Sequence, residues 1–215
     1  GSDANIAITE VQVGDAMSLT GSNQFVSVRE KVAGLPSYTG MYVPDDVGSY
    51  ALAVRQLQKG GLHADYFDNQ WLLDSPVIER IDPTINFDWG TGVLTTYGRD
   101  YVSARWTGKV LPDSTEEYTL YTYADDGVRL YIDHELVIDS WDECCTELKT
   151  KVNFTAGTYH DIKVEYKEET GPASISLKWS SYSVKKQIIP SSAFYYATNI
   201  AGSPFPITVL PGAAD

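Results

Sequence analysis

Two neighbouring aspartates, Asp125 and Asp126, are the side chains in this sequence with the clearest capacity for chemistry. They lie in the segment ADDG between two runs of alternating apolar and polar residues, which predicts a turn between strands. Successive side chains of a strand point to opposite faces, and two carboxylates held on one side repel unless a cation neutralises them or one is protonated. Calcium suits such a pair because it takes ~6–8 oxygen ligands, including backbone carbonyls, in flexible geometry. The plain alternative is a solvated acidic turn.

The two cysteines of the chain, Cys144 and Cys145, are also neighbours. Because the sequence has no other cysteine, they form two free thiols, a vicinal disulfide or intermolecular bridges. We predict the vicinal disulfide if the protein matures outside the cell. The histidines His63, His134 and His160 have no metal-ligand spacing with the cysteines, which argues against a zinc site.

The sequence shows no recognisable catalytic pattern. A glycosidase needs two carboxylates on opposite sides of the scissile bond, ~5–9.5 Å apart, and adjacent aspartates on one ion do not provide that arrangement. The sequence also lacks a Ser-His-Asp or Cys-His pattern in a nucleophile context and a glycine-rich phosphate loop. We therefore predict that this chain is not an enzyme.

The composition excludes several classes of partner. The 215 residues contain 16 Lys+Arg and 29 Asp+Glu, a net charge of −13, which disfavours nucleic acid and anionic membrane surfaces. No apolar run approaches the ~18 residues of a membrane span and no signal peptide is present, so we predict no direct membrane insertion by this fragment. Gly1-Ser2 is typical of a cloning remnant, and we expect any leader or anchor to lie outside the fragment.

The dominant sequence period is two, which predicts an all-β protein built from antiparallel sandwiches. Short acidic turns separate the segments EYTLYTY, VRLYI and LVID, a hairpin pattern. A single helical turn is predicted at Ser191–Tyr195. Alternation places five large side chains in the core: Trp106, Trp141, Trp179, Leu130 and Ile132. The other predicted strands are Gln24–Val28, Tyr38–Val43, Tyr50–Leu57, Tyr101–Val110, Thr150–Phe154, Asp161–Tyr166 and Ser174–Trp179.

The middle of the chain carries a specific set of segments in a fixed order. They are GLHADYF at Gly61–Phe67, ARWTGKVLP at Ala104–Pro112, the stretch Tyr118–Trp141 with DDGVRLYID, and Phe154–Ser180 with AGTY and LKW. This set resembles the protective-antigen-type (PA14) domain, which is shared by yeast flocculins, adhesins and glycosidases. The resemblance extends to about Tyr196 and implies a two-sheet antiparallel sandwich that often binds carbohydrate.

The same resemblance implies a metal site. In lectin members of the family the acidic pair is joined by a cis peptide and binds calcium, which in turn binds sugar hydroxyls. Carried over to this sequence, Asp125 and Asp126 are expected to hold Ca²⁺ and, through it, the ligand.

The second half of the implied site is the loop Lys167–Pro172. Glu168, Glu169 and backbone oxygens near Gly171 are expected to complete the calcium shell. Flocculin-like members place an amide there, so the acidic residues depart from the family pattern. Additional carboxylates bind calcium well, but they weaken the hold of the ion on a neutral sugar.

The two ends of the chain resemble the last strands of a filamin-type immunoglobulin-like repeat. Ser37–Val54 reads as a strand, a Pro-Asp-Asp-x-Gly turn and a second strand, and Gly202–Phe205 supplies the G-S-P-F motif. We therefore predict a split filamin-type repeat at residues 1–57 and 198–215, which carries a PA14-type domain at residues 58–197.

If both ends belong to one sandwich, strand Tyr50–Leu57 pairs with strand Phe205–Leu210. Insertion is tolerated where the ends of the guest lie close together at an exposed loop, which suits this arrangement.

These observations predict a calcium-dependent carbohydrate-binding (lectin) module of a cell-surface or secreted adhesin. The expected partners are glycans or glycoproteins and the flanking domains of a larger chain. Loop aromatics, among them Trp71, Trp89 and Tyr97, are candidates for stacking on sugar rings. The alternative is a non-catalytic structural or protein–protein interaction spacer that binds no sugar.

Overall fold

The chain divides into two compact units. The computed structural model describes residues 8–15, 24–26, 29–30, 38–39 and 48–210, with side chains described from Arg55 onward apart from Ile207 and Val209. One unit comprises Gly1–Gln58 with Ala197–Asp215, and the other comprises Lys59–Tyr196. We call them the outer unit and the inserted unit. Of the predicted turn at residues 44–48 only Gly48 is described, and residues 27–28 and 40–43 of two predicted strands also lie outside the described residues.

The described residues form short strands and one 3-10 turn, Ser191–Ala193, within the segment where a helical turn was predicted. No helix among them is long and apolar enough to cross a membrane. In chain order the strands are β1 (Ile8–Asp15), β2 (Gln24–Val26), β3 (Arg29–Glu30), β4 (Tyr38–Thr39), β5 (Gly48–Lys59), β6 (Leu62–Phe67), β7 (Ile78–Asp82), β8 (Asn86–Gly90), β9 (Val102–Val110), β10 (Glu116–Asp125), β11 (Gly127–Ile132), β12 (Glu135–Ser140), β13 (Leu148–Phe154), β14 (His160–Glu168), β15 (Ala173–Ser180), β16 (Gln187–Ile188), β17 (Phe194–Asn199) and β18 (Phe205–Val209).

In the outer unit, β5 is the central strand of an antiparallel sheet. It pairs with β1 on one edge, where Val11 lies opposite Val54, and with β18, where Phe205 lies opposite Leu52. Strand β2 extends the sheet beyond β1, and β3 pairs with β4 separately. The expected pairing between the strands on either side of the insertion is therefore present. The filamin-type resemblance of this unit stays a prediction.

The inserted unit is a sandwich of two antiparallel sheets, which confirms the predicted fold class. The first sheet has the order β7-β6-β9-β14-β11-β12, and β17 joins β9 at Lys109 and Val110, beyond the end of β6. The second sheet has the order β13-β10-β15, and both β8 and β16 pair with β15. The core lies between the two sheets.

Period-two alternation accounts for the core of the inserted unit. Along β10 every second side chain is buried, from Tyr118 to Ala124, and the intervening ones are partly exposed. Four of the five predicted core residues are buried as expected: Trp106, Trp179, Leu130 and Ile132. The prediction was wrong for Trp141, which is only half-buried because β12, and with it the alternation, ends at Ser140. The Arg129 guanidinium lies 4.5 Å from the centre of its ring.

A buried acid stabilises the core at the end of β7. Asp82 is 4% exposed, and its Oδ2 accepts hydrogen bonds from the Tyr66 hydroxyl at 2.6 Å and from Nε1 of Trp106 at 2.8 Å. Its Oδ1 accepts from Nε of Arg80 at 2.7 Å. Burial, together with the hydrogen bond and charge of Asp82, raises the pKa of Tyr66. The Tyr66 hydroxyl and Nε1 of Trp106 are therefore hydrogen-bonded to the Asp82 carboxylate inside the apolar core, as buried polar groups normally are.

Charged side chains line the outer face of the first sheet. One cross-strand row runs over all six strands, and its ion pairs include Arg105 to Glu165 at 3.2 Å and Arg129 to Asp139 at 3.1 Å. Opposite charges on neighbouring strands stabilise a sheet modestly. In strand order the row consists of Glu79, Asp65, Arg105, Glu165, Arg129 and Asp139.

Strand β9 spans the inserted unit from one end to the other. At its start Val102 lies opposite Glu168, and at its end Val110 lies opposite Phe194. The chain begins and ends this unit at the second of these ends, where the Gly60 N–H donates to the Phe194 carbonyl at 2.9 Å. The two chain connections of the unit are therefore held together at one end of β9.

Candidate metal and ligand site

The turn between β10 and β11 presents Asp125 and Asp126. A cis peptide joins the two residues, as the family resemblance implied. Burial, followed by the charge of Asp126 and a hydrogen bond to it, raises the pKa of Asp125. Glycine is required next in the chain, because a Cβ on Gly127 would lie 2.2 Å from the Trp141 carbonyl oxygen.

The loop between β14 and β15 lies directly beside this turn. The Asp126 N–H donates to the Lys167 carbonyl at 3.3 Å, and the Glu169 N–H donates to Oδ2 of Asp126 at 2.6 Å. The structure thus brings the predicted residues of the two loops together. This arrangement follows from the pairing of β11 with β14, in which Gly127 lies opposite Lys167.

A third loop, which ends at the start of β9, completes the site. The Gly171 N–H donates to Oδ1 of Asp100 at 3.3 Å, and the Tyr101 N–H donates to the Glu169 carbonyl at 3.0 Å. Asp100 was not predicted as a site residue. No local signal marks it, because its place depends on the long-range pairing of β9 with β14.

We call the carboxyl groups of Asp100, Asp125, Asp126 and Glu168 the acidic group. Glu168 is its buried member. It is 0% exposed, and its Oε1 has no hydrogen-bond partner in the described part of the chain. Burial, with the charges of Asp126, Asp125 and Asp100, raises the pKa of Glu168 to about 7. A buried carboxylate oxygen without a hydrogen-bond partner destabilises the folded state. A proton or a cation bound at this oxygen would remove that cost.

Tyr166 connects Glu168 to the acidic turn. Its hydroxyl donates to the Asp125 carbonyl and lies 3.0 Å from Oε2 of Glu168. The hydroxyl has one proton, so while it donates to the carbonyl its oxygen is free to accept from a protonated Glu168. Burial and the neighbouring Glu168 raise the pKa of Tyr166, which keeps the phenol neutral.

The cysteines lie on the other side of Asp125. The structure joins Cys144 and Cys145 in a vicinal disulfide, and the Cys145 N–H donates to the Ala124 carbonyl at 2.9 Å. Oδ1 of Asp125 lies 3.2 Å from Sγ of Cys145 and 3.5 Å from Sγ of Cys144. Sulfur in a disulfide carries no proton, so these contacts position the loop and do not neutralise the carboxylate.

We expect the protein isolated under non-reducing conditions to contain the Cys144–Cys145 disulfide. Its intact mass should be lower than that of the reduced protein by two hydrogen atoms, because reduction adds one to each sulfur. Alkylation under native, unreduced conditions should label neither cysteine. Labelling of both would contradict the prediction.

Glu169 occupies a different position from Glu168. Its carboxylate Oε1 accepts from Nζ of Lys167 at 2.7 Å, and the same Nζ donates to Oδ1 of Asp142 at 2.9 Å. The contacts of Glu169 with the acidic group run through its backbone N–H. The Glu169 side chain stays a predicted calcium ligand. To bind the ion, its carboxylate would have to give up the hydrogen bond from Lys167.

The three aromatic candidates have different environments. Trp89 packs into the core below the site, with its ring 4.9 Å from Phe87 and 5.8 Å from Tyr166, so it is not an open stacking surface. Trp71 is 67% exposed and Tyr97 is 86% exposed. Both lie on loops at the end of the sandwich that carries the acidic group.

The donor set fits a hard divalent cation. The charges of Asp126, Asp125 and Asp100 act on the Glu168 carboxyl, whose Oε1 is buried without a hydrogen-bond partner in the described part of the chain. The ligand atoms on offer are oxygen, which calcium prefers over softer donors. The three loops that carry these carboxylates are hydrogen-bonded to one another.

These features define the class of protein. Residues 58–193, a two-sheet sandwich with an acidic Asp-Asp turn, match the family model of the PA14 domain, and the chain belongs to this family.

Two similar proteins carry the term anti-sigma factor in their names. The chain is 45% identical over 144 residues to the anti-sigma-I factor RsgI3 of Acetivibrio thermocellus, a match that covers 66% of this chain and 22% of that protein. A solved anti-sigma factor domain-containing protein from Clostridium clariflavum is 42% identical, with a TM-score of 0.61 over 65% of this chain and 48% of that chain. The chain thus spans about a fifth to a half of the relatives that it matches.

A third similar structure shares the fold at low identity. It is the Epithelial Adhesin 9 A domain from Candida glabrata, solved in complex with Galb1-4GlcNAc. It is 12% identical, with a TM-score of 0.53 over 68% of this chain and 93% of that chain.

Proposed function

We propose that the inserted unit is a calcium-dependent carbohydrate-binding module. The single observation that carries the proposal is the buried, unpaired Oε1 of Glu168 beside the carboxylates of Asp125 and Asp126. A divalent cation would satisfy this oxygen and relieve the repulsion among the acids. Asp125, Asp126 and Glu168 would hold Ca²⁺, with Asp100 close by and Glu169 and Gly171 on the same loop.

Sugar hydroxyls are the proposed second set of ligands. Calcium accepts more oxygen atoms than these side chains supply, so neighbouring hydroxyls of a glycan can complete its shell. The PA14 fold supports this choice, because the Candida glabrata adhesin domain of the same fold was solved with a disaccharide. We propose no catalysis, since adjacent carboxylates do not flank a scissile bond.

We also propose that the module works outside the cell as part of a larger chain. The Cys144–Cys145 disulfide supports this location, because disulfides persist in oxidising compartments. The relatives are much longer than the region that they share with this chain, which is in keeping with a module among flanking domains.

Calcium is expected to raise the melting temperature of the wild-type protein, because an ion that binds only the folded state stabilises it by mass action. At 100 times the dissociation constant the gain is about 2.7 kcal/mol. Asp126→Asn removes one charge with little change of shape, so the variant should fold, respond less to calcium and lose glycan retention.

The matched control is Asp113→Asn, which makes the same change at an exposed position in the turn between β9 and β10, at the opposite end of the sandwich. This variant should behave as wild type. Thermal unfolding and calorimetry with calcium test the metal, and an oligosaccharide array with and without a chelator tests the sugar. No shift and no heat at millimolar calcium would favour a spacer that binds no sugar.

A further inference from the structure

Hydrogen bonds join the loops around the acidic group to one another. Asp68 accepts a hydrogen bond from the Thr95 hydroxyl, and the Asn69 carbonyl accepts one from the Ser103 hydroxyl at 2.6 Å. The Tyr101 N–H is bound to the Glu169 carbonyl at 3.0 Å. Residues 68–74, 91–101 and 167–172 therefore hold one another in place beside the acidic turn.

Exposed aromatic side chains are concentrated on these loops. Trp71, Tyr97 and Tyr101 are 67%, 86% and 56% exposed. In the described part of the chain none of the three contacts another ring or a cation, whereas the ring of Trp89 below them is stacked. Burying a large aromatic ring against a ligand is favourable. Exposed aromatic rings beside a polar site therefore indicate a ligand-binding surface.

Tyr101 has the most direct connection to the acidic group. Its N–H is fixed to the loop that carries Glu168, and the carboxylate of the preceding residue, Asp100, accepts the Gly171 N–H at 3.3 Å. Its φ is 56°, a conformation that bulky residues rarely adopt. The backbone is thus fixed on both sides of Cα, and only the ring remains in solvent.

We infer that Tyr101 is a stacking residue for a second sugar unit, so the site selects oligosaccharides over monosaccharides. This inference rests on the proposed function. One sugar would place its hydroxyls at the acidic group, and the next unit of the chain would lay its apolar C–H face on the Tyr101 ring. A tyrosine loses little conformational entropy on binding, since it has only two side-chain torsions.

The test compares Tyr101→Ala and Tyr101→Phe with wild type. An oligosaccharide array in calcium first identifies the best-bound oligosaccharide, and its affinity is then compared with that of its terminal monosaccharide. Tyr101→Ala is expected to weaken oligosaccharide binding about three- to tenfold. Monosaccharide affinity and calcium affinity should stay within about twofold of wild type, because the acidic group is unchanged. Tyr101→Phe keeps the ring and should retain affinity.

The matched control is Tyr182→Ala, since Tyr182 is 100% exposed and lies in the connection between β15 and β16. It should leave both sugar affinities unchanged. If wild type retains glycan in calcium but Tyr101→Ala binds the oligosaccharide equally well, the inference is overturned and the proposed function stands. If wild type retains no glycan in calcium, both are overturned.

Discussion

Replacement of Asp82 with alanine is expected to lower the free energy of unfolding by about 3–5 kcal/mol, the largest effect of any single substitution considered for this protein. The change would leave the Tyr66 hydroxyl and Nε1 of Trp106 buried without an acceptor, and it would leave the Arg80 guanidinium without its carboxylate. Such groups pay the full cost of desolvation. Urea unfolding followed by tryptophan fluorescence measures the loss.

The matched control is Asp139→Ala. This carboxylate also pairs with an arginine, Arg129, at 3.1 Å, but its side chain is 49% exposed. An exposed ion pair contributes about 0–1 kcal/mol, so the control should lose little stability. Asp82→Asn keeps one oxygen acceptor and should fall between the two. Equal losses for the Asp82 and Asp139 alanine variants would show that the buried network stabilises no more than a surface pair.

The calcium-free protein is expected to lose stability as the pH rises from about 4.5 to about 7, because the pKa of Glu168 is raised over this range in the folded state. Between these values the folded protein holds a proton that the unfolded chain has released, so the unfolding free energy falls with increasing pH. The full shift corresponds to about 3 kcal/mol. Burial and the charges of Asp126, Asp125 and Asp100 oppose the ionisation of this carboxyl, whereas a hydrogen bond from Tyr166 favours it.

Urea unfolding in a chelator at several pH values measures this slope. Glu168→Gln should flatten it, because the amide keeps the shape and does not titrate. Glu169→Gln is the control, since the Glu169 side chain is exposed and pairs with Lys167. Saturating calcium should reverse the slope by competing with the proton. An unchanged slope in Glu168→Gln would assign the pH dependence to other groups.

The sequence predicted the elements with regular alternation and the site positions that adjoin them. The acidic turn at Asp125 was placed between β10 and β11 because both strands keep period two. The proximity of Glu168 came from the family resemblance. These features depend on local pattern and strand order, which a sequence displays directly.

Features formed by long-range packing were not predicted. Asp100 joins the site only because β9 pairs with β14, and β7 and β8 were not predicted as strands. Asp82 reads as an ordinary polar residue near a turn, and its role depends on Tyr66 and Trp106 reaching it inside the core. Trp141 was placed in the core by strand alternation, but β12 ends at Ser140 and the ring lies beside the Arg129 guanidinium.

The course of β9 determines how the inserted unit is tethered. Val102 begins the strand opposite Glu168, and Val110 ends it opposite Phe194, where the unit is joined to the rest of the chain. At ~3.3 Å per residue these ends are about 26 Å apart. Tension applied to the two connections therefore acts first on the contact between Gly60 and Phe194 and not on the acidic loops. The chain connections and the acidic loops therefore lie at opposite ends of the unit.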